Sequence, residues 1–172
     1  ATSPAYPIRG HQLGYRDKAN SWDAWTPEQF DQYIRELAFF GVNSIENIPF
    51  QDVQQAPLMK LPRQEMNKRL SEICNRYGLD YWVWTPANYD LRNNELRTKA
   101  LTQHEELYRD CSELTGVFFP GGDPGNNPAE LVIPFLEDIA KRLLPIHPDA
   151  RVWLSLQHFD TKEIRYVMKY LE

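Results

Sequence analysis

The sequence predicts an α/β fold, a parallel (β/α) barrel in which about five of the eight βα units are present. Three observations predict it. Five short runs rich in aromatic and β-branched residues alternate with five amphipathic helical patterns. Helix starts near residues 27, 62, 95, 128 and 161 recur at a nearly constant spacing, which implies parallel strands joined by right-handed crossovers. The carboxyl end of every run carries polar and aromatic side chains, as the top face of a barrel does. An open doubly wound sheet also fits the alternation, but it announces its ligand at a glycine-rich turn. No Gly-x-Gly-x-x-Gly or Walker pattern follows the first run. A whole barrel of such units needs roughly 270 residues, and the chain has 172. Residues 1–172 therefore read as the N-terminal part of a (β/α)8 catalytic domain, with the remainder of its own barrel as a partner.

The first strand is expected over residues 6–13. Thr26-Pro27-Glu28-Gln29 then supplies an N-cap, a first-turn proline and a capping-box glutamine. Phe30, Tyr33, Ile34, Leu37 and Ala38 repeat at helical spacing, and Gly41 supplies the left-handed stop. The second strand covers residues 42–48, and the second helix runs from about Pro62 to the stop at Gly78, burying Met66, Leu70, Ile73, Cys74 and Tyr77. A third strand at 79–84 leads to a helix from Glu95 to Glu113 with Leu101, Tyr108 and Cys111 inward. After the fourth strand, at 114–119, Asn127 reads as the cap of a helix starting at Pro128. That helix buries Val132, Phe135, Leu136, Ile139 and Leu143, and Pro134 should kink it or delay its start. A fifth strand at 151–157 precedes a helix from Thr161 that presents Ile164, Val167, Met168 and Leu171. Strands one and five would expose open edges.

Composition narrows the function. Lys and Arg total 19 against 24 acidic residues, a net charge of −5, with no basic run longer than a pair; nucleic acid is not an expected partner. No stretch approaches 18 apolar residues, so no helical membrane span is expected. Two cysteines with no zinc-like spacing predict neither a metal site nor a disulfide scaffold. Cys74 and Cys111 fall on apolar stripes and read as reduced core residues; a single bridge between them is the other arrangement the sequence permits. No cofactor is expected. The amino terminus has no charged n-region or apolar h-region, so a signal peptide is expected to be absent or already removed.

The candidate site lies at the strand ends. His11, Gln12, Tyr15 and Arg16 follow strand one, Glu46 strand two, Trp84 and Asn88 strand three, Asp123 strand four, and Gln157 and His158 strand five. Carboxylates, amides, imidazoles and indoles in one ring suit a carbohydrate, whose hydroxyls need polar partners and whose C–H faces pack on aromatic rings. Structural roles compete for several residues. Trp82 and Trp153 lie mid-strand and read as core, Trp22 and Trp25 as caps over the barrel top, and Glu46 as an ion-pair partner for Arg9 or Arg16. His104 and His147 read as structural or solvent-exposed. In Gly121-Gly122-Asp123-Pro124-Gly125 the glycines let the backbone turn sharply and approach a ligand, with Asp123 projected from strand four. The competing reading is a turn whose aspartate bonds its own backbone.

Arg9-Gly10-His11, the passage Phe39-Phe40-Gly41-Val42-Asn43-Ser44-Ile45-Glu46, and strand four ending in Gly-Gly-Asp-Pro-Gly resemble barrel glycoside hydrolases of the α-glucuronidase and β-hexosaminidase-like kind. The resemblance implies a general acid at the end of strand four. In α-glucuronidases this is a Glu in a Gly/Pro-containing turn, and the matching position is Asp123, one methylene shorter. It also implies that opposing carboxylates come from later strands. The adjacent acid pair of hexosaminidase-like enzymes is not matched, because Pro124 follows Asp123. A periplasmic or secreted location and a role in polysaccharide degradation go with the resemblance.

Glycoside hydrolysis is thus the expected reaction, with Asp123 and Glu46 as the catalytic carboxylates and His11, Gln12, Tyr15, Arg16, Trp84, Asn88, Gln157 and His158 as substrate-binding residues. A proton donor working near neutral pH needs apolar surroundings or a second carboxylate beside it. Phe118, Phe119 and Trp84 are the expected wall around Asp123, and Glu46 the expected second carboxylate. The alternatives are metal-assisted sugar isomerisation or deacetylation through His11, Glu46, Asp123 and His158, and a saccharide-binding barrel without catalysis.

Overall fold

A computed structural model describes residues 3–13, 24–47 and 58–172. Strands β1 (Gly10–Leu13), β2 (Ser44–Asn47), β3 (Asp80–Trp84), β4 (Gly116–Phe119) and β5 (Arg151–Leu154) form one sheet in sequence order, every neighbouring pair parallel. Helices α1 (Pro27–Phe39), α2 (Arg63–Tyr77), α3 (Asn94–Asp110) and α4 (Ala129–Leu143) connect them, and α5 (Thr161–Leu171) follows β5. A doubly wound sheet must reverse its strand order at a switch point. This one does not: it is the barrel arrangement, carried through five βα units. All five strands are shorter than the apolar runs that predict them, and Ile48, the last residue of the second run, lies outside the described residues.

The core lies between the sheet and the helices. Leu13, Ile45, Tyr81, Val83, Val117 and Phe119 point from the strands into it, against Ile34, Leu70, Cys74, Leu107, Phe135 and Ile139 from the helices. Burial of such side chains is the main favourable term, about 1.5–3 kcal/mol for each one removed from water. Both cysteines are free and buried, so no bridge joins them. Tyr77 is only half-buried. On α5 only Val167 is buried, while Met168 and Leu171 are exposed. Among the described residues no helix is long and apolar enough to cross a membrane.

Local signals set most helix ends. Thr26 accepts from the Gln29 N–H at 3.4 Å, and the Gln29 side chain accepts from the Thr26 N–H at 2.9 Å, closing the capping box. Gly78 ends α2 in the left-handed region (φ 67). α3 begins under Asn93, whose side chain accepts from the Glu95 and Leu96 N–H groups, and ends at Asp110 because Cys111 turns extended. α4 runs through Pro134 to Leu143.

The start of α4 departs from the sequence reading. Asn127 does not cap it. Its buried side chain turns to the β3–α3 loop, accepting from the Leu91 N–H at 2.9 Å and donating to the carbonyls of Ala87 (3.3 Å) and Tyr89 (2.9 Å). The backbone N–H of Ala129 instead donates to Glu163 Oε1 at 3.1 Å. The other oxygen of Glu163 accepts from the Asp160 N–H at 2.8 Å in the capping box of α5. A single carboxylate therefore serves the starts of two helices, where negative charge is favoured.

One polar knot sits inside the core. Tyr81 donates to Asn67 Oδ1 (2.8 Å), Asn47 donates to Asn67 Oδ1 (3.2 Å) and to the Tyr81 hydroxyl (3.3 Å), and Asn67 donates to the Arg63 carbonyl (2.9 Å). All three side chains are buried. Tyr81→Phe removes the shared hydroxyl while keeping the ring, leaving buried amides short of partners, and should cost about 1–3 kcal/mol. Urea unfolding midpoints check this; an unchanged midpoint would contradict it.

Candidate active site

Side chains alternate between the two faces of a strand, and the register fixes which residues share a face. Gln12, Glu46, Trp82, Gly116 and Arg151 lie side by side across the five strands, and Trp84, Phe118 and Trp153 form the row two residues on. These rows occupy the face away from the helices. His11, Asn47 and Phe119 belong to the opposite parity, facing the helix layer.

The face away from the helices holds a recess of about 280 Å³, with Glu46, Trp82, Phe118 and Trp153 among its lining residues. Trp82 and Trp153 meet edge to face, ring centroids 5.2 Å apart, although β4 runs between their strands. Gly116 makes the contact possible: a Cβ there would stand 2.3 Å from Trp82 Cζ3. Glu46 Oε1 is buried with no hydrogen-bond partner among the described residues. Burial raises its pKa from the ordinary 4.5 to about 7, since an apolar wall disfavours the charged form. Arg9, one of its two predicted partners, is used elsewhere, donating to the carbonyls of Gly41 (2.6 Å) and Tyr6 (2.9 Å).

Asp123 occupies different surroundings. Gln157 donates to its Oδ2 at 2.9 Å, and His158 Nε2 stands 3.8 Å from its Oδ1. Of the residues expected to wall it, Phe119 is buried in the core and Phe118 lines the Glu46 recess. The Asp123–Pro124 peptide bond is cis, and His158 adopts a left-handed backbone (φ 62), uncommon for a residue with a Cβ. The glycines of this turn admit neighbouring loops. A Cβ at Gly121 would stand 2.4 Å from the Gln157 carbonyl, and one at Gly125 would stand 2.2 Å from the Ala87 carbonyl.

The loops after β3, β4 and β5 thus pack into one rim bearing Asn88, Asp123, Gln157 and His158, with Trp84 half-buried at the end of β3. Gln12 is exposed beside Glu46. His11 is among the residues lining the Glu46 recess; its Nε2 shares a hydrogen bond with the Tyr33 hydroxyl of α1 at 3.2 Å, and partial burial lowers its pKa. Tyr15 and Arg16, together with Trp22, lie outside the described residues. Trp153, predicted as core, is 45% exposed. His104 is buried and stacks on Tyr108, and His147 donates to the Tyr108 carbonyl at 2.7 Å, both structural as predicted. Among the described residues no three His, Cys, Asp or Glu side chains come together as metal ligands, so His11, Glu46, Asp123 and His158 do not form the cluster that the metal alternative requires.

No family model and no curated protein matches the sequence. The fold has a counterpart among solved structures. The chain is similar to a GH5_18 protein from Streptomyces cattleya, solved in complex with GlcNAc, with a TM-score of 0.54 and 14% identity. The match covers 86% of this chain and 44% of that one. At this identity the likeness is one of architecture, and the present chain spans less than half of its counterpart's length.

The raised pKa of Glu46 has a consequence for stability. The folded chain holds this proton up to about pH 7, whereas the unfolded chain releases it near 4.5. The contribution of Glu46 to stability is therefore full below 4.5 and is lost as pH rises through 7. Glu46→Gln keeps the shape without the charge and should gain stability over the parent as pH rises through this window. Urea midpoints across that range test it; a parent–variant difference that does not change with pH would count against the assignment.

Proposed function

We propose that residues 1–172 form the N-terminal part of a carbohydrate-active barrel and that its reaction is glycoside hydrolysis. The observation that carries this reading is the buried Oε1 of Glu46, without a hydrogen-bond partner among the described residues, in an aromatic recess on the open face of the sheet. The fold shared with a GH5_18 protein supports it, and the GlcNAc bound by that protein supports a sugar as the ligand class.

In this reading Glu46 is the proton donor. It keeps its proton to about pH 7, so it can protonate the glycosidic oxygen as the bond to the anomeric carbon breaks. Trp82, Phe118 and Trp153 supply the apolar surroundings that hold it neutral and surfaces on which a pyranose face packs. Asp123, hydrogen-bonded by Gln157 through one oxygen with His158 beside the other, is the second carboxylate; it takes the proton of an attacking water or itself attacks the anomeric carbon. Gln12, Trp84, Asn88 and His158 are the sugar-contacting residues of the same mouth.

The test is turnover by the complete protein on a panel of aryl glycosides that includes N-acetylhexosaminides and uronides. Glu46→Gln should lower kcat/KM by about 10²–10⁴-fold on substrates with poor leaving groups. The loss should be smaller on activated leaving groups, which need no proton. Asp123→Asn should lower turnover on both kinds. Wild-type rates in both variants would remove the two carboxylates from the mechanism.

A further inference from the structure

We propose that Gln157 is a positioning residue for Asp123, brought within reach by the Gly121–Gly122 step; this rests on the glycosidase reading above. The β4 and β5 turns are locked together through their backbones. Gly122 N–H donates to the Gln157 carbonyl at 3.0 Å. A Cβ at Gly121 would meet that carbonyl at 2.4 Å and the Ser155 carbonyl at 2.9 Å, and a Cβ at Gly122 would meet the Asn127 carbonyl at 2.8 Å. No side chain fits at either glycine: Gly121 lets the two turns approach this closely, and Gly122 lets the β4 turn fold back on Asn127.

The β5 turn is held on its far side as well. Phe159 is buried, and Asp160 caps α5 through the Lys162 and Glu163 N–H groups. Between these anchors the backbone passes through the left-handed conformation at His158. With its backbone fixed, Gln157 places its amide 2.9 Å from Asp123 Oδ2. The donor is neutral, so it fixes the orientation of the carboxylate without a compensating charge. The other oxygen stands 3.8 Å from Nε2 of His158, whose side chain is 57% exposed. One oxygen of Asp123 is thereby committed and the other is left for the reacting partner. Gln157 then acts through Asp123 and not by touching the sugar.

The experiment is a double-mutant cycle in the complete protein, with Gln157→Ala, Asp123→Asn and the pair, measured on a glycoside that the parent cleaves. Gln157→Ala should lower kcat by about tenfold to a hundredfold with KM nearly unchanged, since misaiming a reacting group acts on the chemical step. The same change in the Asp123→Asn background should have no further effect on kcat. Gln157→Arg, which retains a side-chain donor, should recover part of the rate, and Tm of all variants should stay within a few degrees of the parent. A rise in KM with kcat held, or full additivity in the cycle, would overturn the positioning role while leaving the hydrolase reading intact. A parent that cleaves no glycoside on the panel would overturn the hydrolase reading, and the role of Gln157 with it.

Discussion

The two-residue period of side chains along in-register parallel strands is the constraint on which the site depends. Across five strands the register sends one parity into the helices and the other onto the open face. A slip of one residue in β2 would exchange Glu46 with Ile45 or Asn47, driving a carboxylate into the core and an apolar or amide side chain into the recess. The fully buried Ile45 and the Asn47–Asn67–Tyr81 knot oppose such a slip, because each would lose its surroundings. Packing behind the sheet therefore fixes which side chains line the recess in front of it.

The features legible in the sequence were those whose cause is local. The capping box at Thr26, the left-handed stops at Gly41 and Gly78 and the βα period each depend on residues a turn or a unit apart, and the structure contains all of them. The features that were not legible depend on partners far along the chain. Asn127 has the local look of a helix cap, yet its side-chain partners lie at Ala87, Tyr89 and Leu91. The glycines at 121 and 122 look like a ligand-hugging turn, yet 121 faces carbonyls of the β5 turn and 122 lies against Asn127. His11 lines the recess and also bonds the Tyr33 hydroxyl of α1, a partner 22 residues away. Strand parity places Trp153 beside Trp82 on the open face. Alternation within each run was readable from the sequence; the alignment between runs was not, because it is set by tertiary pairing.

Two carboxylates that look alike in the sequence differ in what surrounds them. Glu46 has indole and phenyl walls and an oxygen without a donor among the described residues, while Asp123 has an amide donor and an imidazole nearby. Placing one carboxylate in an apolar environment and another in a polar one is how a single site divides acid and base roles. The difference in surroundings follows from position: Glu46 lies within its strand on the sheet face, and Asp123 lies beyond the end of its strand in the loop layer.

The Glu163 carboxylate, which serves both Ala129 and Asp160, ties the last two βα units into one cooperative element. When the first turn of α5 frays, the acceptor for the Ala129 donor leaves with it. Because α4 has no side-chain cap from its own sequence, the two helix starts are coupled through this one carboxylate.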